Sequence, residues 1–510
     1  MAGTRAVLGL VAVVAVAVVA VSGRSGADPR TPPALPGLAA PFLGTAVVGS
    51  GGVTAAVDSY GDVVDLRAPG PAGRGLIYNP ADRQAAGSVP SDTGIVPRVS
   101  VGGGAALPLW RARSIRQSYL RGTNVLRTVA QIDGARVEIV YAARGRSLGC
   151  LTQVRGARAA AIRVGRVHDA LRGRPAMYCD DAVARRIVRG ALAGDRRWVA
   201  RARALGSGAP GWARRMYVRS LLVLRALTDR RSGAVAAGAR DGWAYVWPRD
   251  AGAVAIALAS AGYRDEARRV VRFLLGLHLE SAARFHGDGT PVGGRGAEGD
   301  AAGWVEAAAR AAGLPATPTG ARGDSGGAAQ SIGRRSWSNR ADYQEGEAGD
   351  YLANAIASGV GAARIRALFG IPGGLERRAG DPGSGLDSAA AWAVRPFPRP
   401  ALFPLVRRSL RRLLASQGRF GIVPAEDWPD GEPWTAPTAW TAWSFAALGE
   451  RRQALRLLAD LRRAATPAGL LPERVGARTG IPRSTTPLAW SHAFVILALR
   501  QLWPGHKGRA

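Results

Sequence analysis

DGWAYVWPRDAGAVAIALASAGYRDEARRVVRFLLGLH, residues 241–278, contains the unit from which the larger part of the chain is built. It opens with a loop, 241–250, that carries Trp243, Tyr245 and Trp247 and ends on the pair Arg249 and Asp250. Apolar residues then recur at helical spacing over 250–261, Gly262 interrupts, and the spacing resumes over 264–278. A glycine between two helical runs can end the first of them. The stretch therefore predicts an aromatic loop followed by a helical hairpin.

The pattern repeats downstream. Helical spacing also predicts helices over 212–228, 300–312, 348–358, 362–369, 386–393, 401–416, 435–448, 451–465 and 487–502, and Gly361 and Gly449 stand where Gly262 stands. Paired helices joined alternately by short and long loops suggest a closed ring of hairpins, an (α/α)6 barrel over 210–503. Its long loops would build a pocket at one end. Two of those loops, 285–299 and 313–336, are rich in glycine or other small residues. Long loops within a compact domain are usually functional or disordered.

Upstream the character changes. Runs at 45–48, 53–57, 63–66, 125–132 and 136–141 are β-branched, partly alternating, and separated by Gly, Pro, Asn and Asp. They predict an antiparallel β-sandwich domain over 43–181. Residues 182–209, rich in Arg and Ala, read as a connecting helix, and 27–42 as a Pro/Ala/Gly linker. Arg5 precedes an unbroken apolar run over 6–22. Residues 1–26 are therefore expected to direct export, either as a cleaved signal or as a retained membrane anchor. The rest is expected to fold outside the cytoplasm, secreted or held at the membrane.

A formal charge of +32 raises nucleic-acid binding. Yet Lys507 is the only lysine, and the arginines are scattered through the predicted helices. A nucleic-acid footprint is a clustered patch, so no nucleic-acid partner is expected. The two cysteines, Cys150 and Cys179, leave two readings open: a disulfide, or two buried thiols. With five scattered histidines they offer no metal-ligand spacing, and no metal or cofactor is expected.

Three motifs carry chemistry. In DGWAYVWPRD, aromatic faces suit sugar rings, and an Arg–Asp pair can hydrogen-bond hydroxyls in a fixed fork. The plainer alternative is an aromatic core with Asp250 as a helix cap. GLLPER (469–474) puts Glu473 on a loop, and PLAWSHA (487–493) opens the last helix with Trp490 and His492. Taken in isolation, each is better explained plainly, Glu473 as a surface acid and His492 as a core histidine. GRFGIVPAEDWPDGEPW (418–434) holds Arg419, Trp428 and Trp434, and could be an ordinary surface loop.

Together, in order and spacing, these motifs resemble glycoside hydrolase family 15, the glucoamylase, glucodextranase and trehalase family. RSLLVLRALTDRRSGAVAAGARDGWAYVWPRDA (219–251) resembles its first hairpin and W-x-R-D loop. LDSAAAW (386–392) resembles its L-D-x-S/A segment, and residues 418–434 its G-R-Y…D-x-Y…P-W stretch. GLLPERVGARTGIPRSTTPLAWSHA (469–493) resembles G-L-L-P-E…T-G…P-L-x-W-S-H-A. The likeness runs over 216–503 and reaches the β region at QSYLRGTNVLRTVAQIDGARVEIV (117–140), which looks like the family's T-N-V-L-x-T strand pair.

The resemblance implies inversion by two glutamates. One protonates the glycosidic oxygen while the other activates a water on the opposite face, across roughly 6.5–9.5 Å. Glu473 matches the base. The acid falls in QEGEAG (344–349), similar to W-E-E-x-x-G, with Gln344 in place of the tryptophan and Gly346 in place of the second glutamate. Glu345 keeps the acid's spacing, and Glu347 is its rival. The resemblance also implies that Arg249 and Asp250 hold the non-reducing sugar, with Trp247 beside it, Asp300 nearby and Arg419 at the cleavage point. Trp434, Trp490 and His492 would stand behind these residues. The expected activity is an exported α-glucoside exohydrolase releasing glucose from α-glucan, malto- or isomaltooligosaccharide or trehalose. Two competitors remain: a catalytically weakened glucan-binding protein, suggested by the altered acid motif, and a phosphorylase, against which Glu473 counts.

Overall fold

The computed structural model describes residues 45–77, 94–156, 160–169, 172–315, 351–426 and 428–505. The apolar run 6–22, the linker 27–42, and both Glu345 and Glu347 lie outside the described residues. Among the described residues, no helix is long and apolar enough to cross a membrane.

The chain begins with two sheets. Strands β1 (Ala46–Gly49), β2 (Thr54–Val57) and β3 (Val63–Ala68) form an antiparallel ribbon. Strands β4 (Ser114–Tyr119), β5 (Leu126–Ile132), β6 (Ala135–Arg144) and β7 (Ser147–Arg155) form an antiparallel meander. The tight turn between β5 and β6 uses Asp133 and Gly134, both at positive φ, as a two-residue hairpin requires. Along β5, Leu126, Thr128, Ala130 and Ile132 are buried and the residues between them only half-buried, the period-2 signature of a sheet with one covered face. Val48, Val57 and Leu66 of the first sheet share a core with Ile139 and Tyr141 of the second.

One edge departs from the antiparallel expectation. Strand β8 (Met177–Cys179) pairs with β7 in parallel, with Cys150 opposite Cys179. The chain leaves the end of β7, makes a long excursion, and re-enters beside the start of that strand. Parallel pairing needs such a crossover.

Helix α1 (Ala182–Ala200) follows at once, its first turn capped by the Asp181 carboxylate, which accepts from the Ala184 amide at 2.6 Å. Ile187, Val188 and Ala191 face the second sheet. At the other end of α1, Trp198 stacks on Tyr263 at 4.0 Å.

The remainder is mostly helical: α2 (Gly211–Leu227), α3 (Pro248–Ser260), α4 (Arg264–Leu275), α5 (Ala301–Ala312), α6 (Leu352–Ala357), α7 (Ala362–Phe369), α8 (Phe403–Ala415), α9 (Thr435–Ala447), α10 (Arg451–Ala464) and α11 (Ala489–Leu502). The segment expected as a helix over 386–393 is instead a 3-10 turn, Ser388–Ala393. Asp387 caps it by accepting from the Ala389 amide at 2.8 Å. Pro396, Pro398 and Pro400 then deny any longer helix its backbone donors.

The helices fall into two kinds. Helices α3, α9 and α11 are buried along nearly their whole length. Helix α4 buries only Ala267, Val270, Val271 and Leu274, an i, i+3, i+4, i+7 stripe. Helices α8 and α10 likewise bury one face and turn their arginines outward. The inner elements touch in a circuit: α3 meets α5, α5 meets α6, α6 meets the Ser388–Ala393 turn, that turn meets α9, α9 meets α11, and α11 returns to α3. Where α5 meets α6, a Cβ at Gly303 would lie 2.0 Å from the Ala357 carbonyl. A larger residue there would push the two apart. The result is a barrel-like helical region behind a β-sheet region.

The two regions are joined by hydrogen bonds at the T-N-V-L motif. The Asn124 side-chain amide donates to the Leu222 carbonyl of α2 at 2.7 Å and to the Gly49 carbonyl at 3.0 Å. The Asn124 backbone amide donates to Asp195 of α1 at 2.7 Å, and Arg219 of α2 donates to the Asn124 carbonyl oxygen Oδ1 at 3.0 Å. One asparagine thus ties sheet, connecting helix and helical region together.

Candidate active site

Glu473 sits on the loop between α10 and α11, and the loop is held at several points. The Glu473 amide donates to the Thr485 carbonyl, and its carbonyl accepts from the Thr435 amide, both at 2.9 Å. Its carboxylate is half-buried. Oε1 accepts from the Trp243 indole at 3.2 Å, and Oε2 accepts from the Ser484 hydroxyl. Both of these donors are neutral and orient the carboxylate.

Trp243 reaches Glu473 because two loops meet. The Gly238 amide donates to the Trp243 carbonyl at 2.7 Å, and Gly238 also bridges to Leu488. A Cβ at Gly238 would lie 2.7 Å from the Thr485 side chain and 2.8 Å from Cβ of Trp243. Only a bare backbone lets the loop after α2 lie against the loop before α11.

PLAWSHA supports this arrangement from behind. His492 is buried, and its Nε2 accepts from the Leu471 amide at 3.0 Å while its Nδ1 faces the Ser220 hydroxyl at 2.9 Å. Accepting at Nε2 places the proton on Nδ1. Burial, and then the Arg219 charge, push the His492 pKa down to about 3, so the ring is neutral across ordinary pH. It pins the loop two residues before Glu473. Ser491 lies 2.8 Å from the Thr435 hydroxyl, which also bonds the Pro472 carbonyl.

Trp490 faces the other way, 4.6 Å beneath the Arg249 guanidinium. Arg249, in the first turn of α3, is 3% exposed. Its guanidinium lies 3.4 Å from Glu298, 3.4 Å from Asp300 and 3.6 Å from Asp250, all buried. Asp250 does not cap the helix; Trp247 holds the cap position. Trp247 is buried, with the Arg284 guanidinium 5.6 Å from its ring.

Glu298 was not legible as a site residue. It precedes Asp300 in a glycine-rich loop with no motif of its own, and only the fold brings it to Arg249. Arg377 was also missed: it is 8% exposed, 5.4 Å from the Trp428 ring and 5.8 Å from Tyr351. Trp428 meets Trp434 edge to face at 5.3 Å, and Trp434 leads directly into Thr435, the partner of Glu473. Arg419, in contrast, is exposed. Its guanidinium lies over the neighbouring Phe420 ring at 5.9 Å and its carbonyl accepts from Arg463. No described contact joins it to Arg249 or Glu473, because its turn leads out over α10 instead of inward.

The β region also reaches the site's loops. The Gly287 amide donates to the Ala72 carbonyl at 3.0 Å. Burial raises the Asp58 pKa, opposed by three backbone amides and by the charge of Arg240, in the same loop as Trp243. Among the described residues, no cluster of His, Cys, Asp and Glu could hold a metal ion.

Comparisons with known proteins fit this geometry. A family model described as glycosyl hydrolases family 15 matches residues 211–282, the span from α2 through α4 that carries Trp247, Arg249 and Asp250. No curated protein matches. A bacterial glucoamylase complexed with acarbose is 12% identical, covers 91% of this chain and 94% of its own, and superposes with a TM-score of 0.60. That coverage spans both regions, so the fold as a whole is shared. A wild-type glycosidase is 20% identical over 58% of this chain and 99% of its own, with a TM-score of 0.49. The glucoamylase from Saccharomycopsis fibuligera is 13% identical over 57% and 94%, with a TM-score of 0.46. The last two add no weight. The matched segment and the shared glucoamylase-type fold make the chain a glycoside hydrolase.

Proposed function

We propose that the chain is an exported, inverting exo-acting α-glucosidase, with Glu473 as the general base. The observation that carries this reading is the setting of Glu473: a half-buried carboxylate aimed by two neutral donors, on a loop bonded to the one that leads into Arg249. A base must be aimed at the water it activates. The indole and hydroxyl donors supply that orientation.

Glu345 is our general acid, on its motif position, with Glu347 as the rival. Arg249, Asp250 and Asp300, joined by Glu298, would take the hydroxyls of the non-reducing sugar, with Trp247 beside it. Carboxylates accept from hydroxyls, and a guanidinium donates to ring and hydroxyl oxygens. Arg377 takes over from Arg419 the role of cation near the cleavage point, supported by its burial among Trp428 and Tyr351. The circuit of inner helices supports an (α/α)6 barrel with these residues at the loop end of its funnel. Neither linkage nor chain length follows from these contacts. The substrate class is α-linked glucan, malto- or isomaltooligosaccharide, or trehalose.

The test is glucose release from maltose, isomaltose, dextran and trehalose, with the first-formed anomer read by proton NMR. β-Glucose from at least one substrate, abolished by Glu345→Gln and not by Glu347→Gln, is the expected result. α-Glucose in place of β-glucose as the first product from dextran would contradict inversion; trehalose releases one glucose of each anomer under inversion. Binding of dextran without any glucose release would favour the weakened glucan-binding protein, which the loss of the tryptophan at Gln344 suggests.

A further inference from the structure

We propose that Cys150 and Cys179 are joined by a disulfide in the working protein, locking the exit of the β region to the sheet it leaves. Both are thiols in this structure, and the chain has no third cysteine to compete for either. They are in-register partners on the parallel strands β7 and β8. Neighbouring strands lie about 4.7–4.9 Å apart, and partners in register project to the same face. Bridging requires Cα atoms about 4.4–6.8 Å apart, so the backbone is already placed for it. Cys150 is buried in the main apolar core, and Cys179 packs against that core from its rim. The two thiols are in hydrogen-bonding contact. Any remaining adjustment falls on β8, an edge strand of 3 residues whose Cys179 is its last.

The positions also fix the order of events. Cys179 is half-buried and Cys150 fully buried, and the hydrogen bond with the neighbouring sulfur, then burial, push the Cys150 thiol far up. Cys179, the sulfur within reach of solvent, is therefore the one that gives up its proton and attacks an external disulfide, such as an oxidised dithiol carrier. It forms a mixed disulfide and releases one thiol. The Cys150 sulfur then gives up its proton to solvent and attacks the Cys179 sulfur, releasing the second thiol. In net terms two cysteine thiols are oxidised to one disulfide, and the external disulfide is reduced to two thiols.

The bond would sit at a joint. The Asp180 amide donates to the Cys150 carbonyl at 3.0 Å, and the Asp180 carboxylate accepts from the Thr152 amide at 2.7 Å and from its hydroxyl at 2.6 Å. Asp181 then caps α1. A covalent link one residue earlier makes this start of the connecting helix permanent and closes the excursion between β7 and β8 into a loop. Closing such a loop restrains the unfolded chain more than the folded one.

The full chain, incubated natively with oxidised and reduced glutathione, is alkylated in denaturant and weighed. The expected product has lost two hydrogens, takes no alkyl group, and yields one cross-linked peptide pair containing residues 150 and 179. Two alkylated cysteines, or glutathione retained on Cys179, would overturn the proposal. As a second reading, a thiol reductant lowers the oxidised protein's Tm by about 2–5 °C. The Cys179→Ser protein, altered only at the half-buried rim, starts at the reduced value and does not respond. An equal response to reductant in Cys179→Ser would also overturn it.

Discussion

Glu473, on the loop before α11, and Arg249, in the first turn of α3, are held by opposite means. Glu473 is half-buried and accepts hydrogen bonds from two neutral groups, Trp243 and Ser484. Arg249 is buried, stacked on Trp490, and faced by three buried carboxylates. On the proposed reading, the group that gains a proton during turnover is aimed by neutral donors, and the group that grips the sugar hydroxyls is fixed by charge. The difference lies in the partners, and it can be probed partner by partner.

The largest effect is expected at the rigid end. Arg249→Met keeps the bulk over Trp490 but takes the Arg249 charge away from Asp250, Glu298 and Asp300. Breaking a buried ion pair from one side costs about 3–5 kcal/mol, so urea unfolding should show a loss of that order, together with weakened substrate binding. A loss below about 1 kcal/mol would mean that the cluster is wetter than its burial indicates.

His492→Ala comes next. It removes the acceptor of the Leu471 amide and the partner of Ser220, each bond contributing about 0.5–1.5 kcal/mol, and loosens the loop that carries Glu473. Stability and kcat should fall together, with KM less affected. Ser484→Ala is milder. It removes the Ser484 donor to Glu473, and kcat should fall by about threefold to tenfold with an unchanged Tm. A Ser484→Ala effect larger than that of His492→Ala would invert the ranking.

His492 also sets a pH dependence. Its folded pKa, about 3, lies below the usual 6.5, so between those values the unfolded chain binds the extra proton. Stability from this residue is complete above pH 6.5 and is lost as pH falls toward 3. Urea midpoints measured across that window should fall with acid less steeply in His492→Ala than in the parent.

Much of this architecture was legible because it rests on local spacing. The apolar period marked nearly every helix, and Gly262 and Gly449 marked hairpin corners. LLPE and PLAWSHA stood out as motifs, and each residue of Trp490–His492 proves to have a separate partner. Other features were hidden for physical reasons. Segment 386–393 has helical composition, but the prolines beyond it and the Asp387 cap keep it a 3-10 turn. Strand β8 is too short to show alternation, and its parallel pairing depends on where a long excursion returns. Glu298 carries no motif. Arg377 and Arg240 are arginines in a chain with 69 basic residues, where one buried cation looks like any exposed one. Arg419 shows the converse: a motif position whose side chain the fold turns outward.

The central claim is that Glu473 activates the attacking water. The most direct measurement is the initial rate of glucose release by Glu473→Gln beside the parent chain, on the best substrate of the panel and at matched Tm. Glutamine keeps the shape, and its oxygen can still accept from Trp243 while its NH2 donates to the Ser484 hydroxyl, but it cannot serve as the base. The rate should fall by about 10²–10⁴-fold, the usual contribution of a positioned base, with KM little changed. A Glu473→Gln protein that retains the parent rate within about twofold, far short of that contribution, would contradict the assignment.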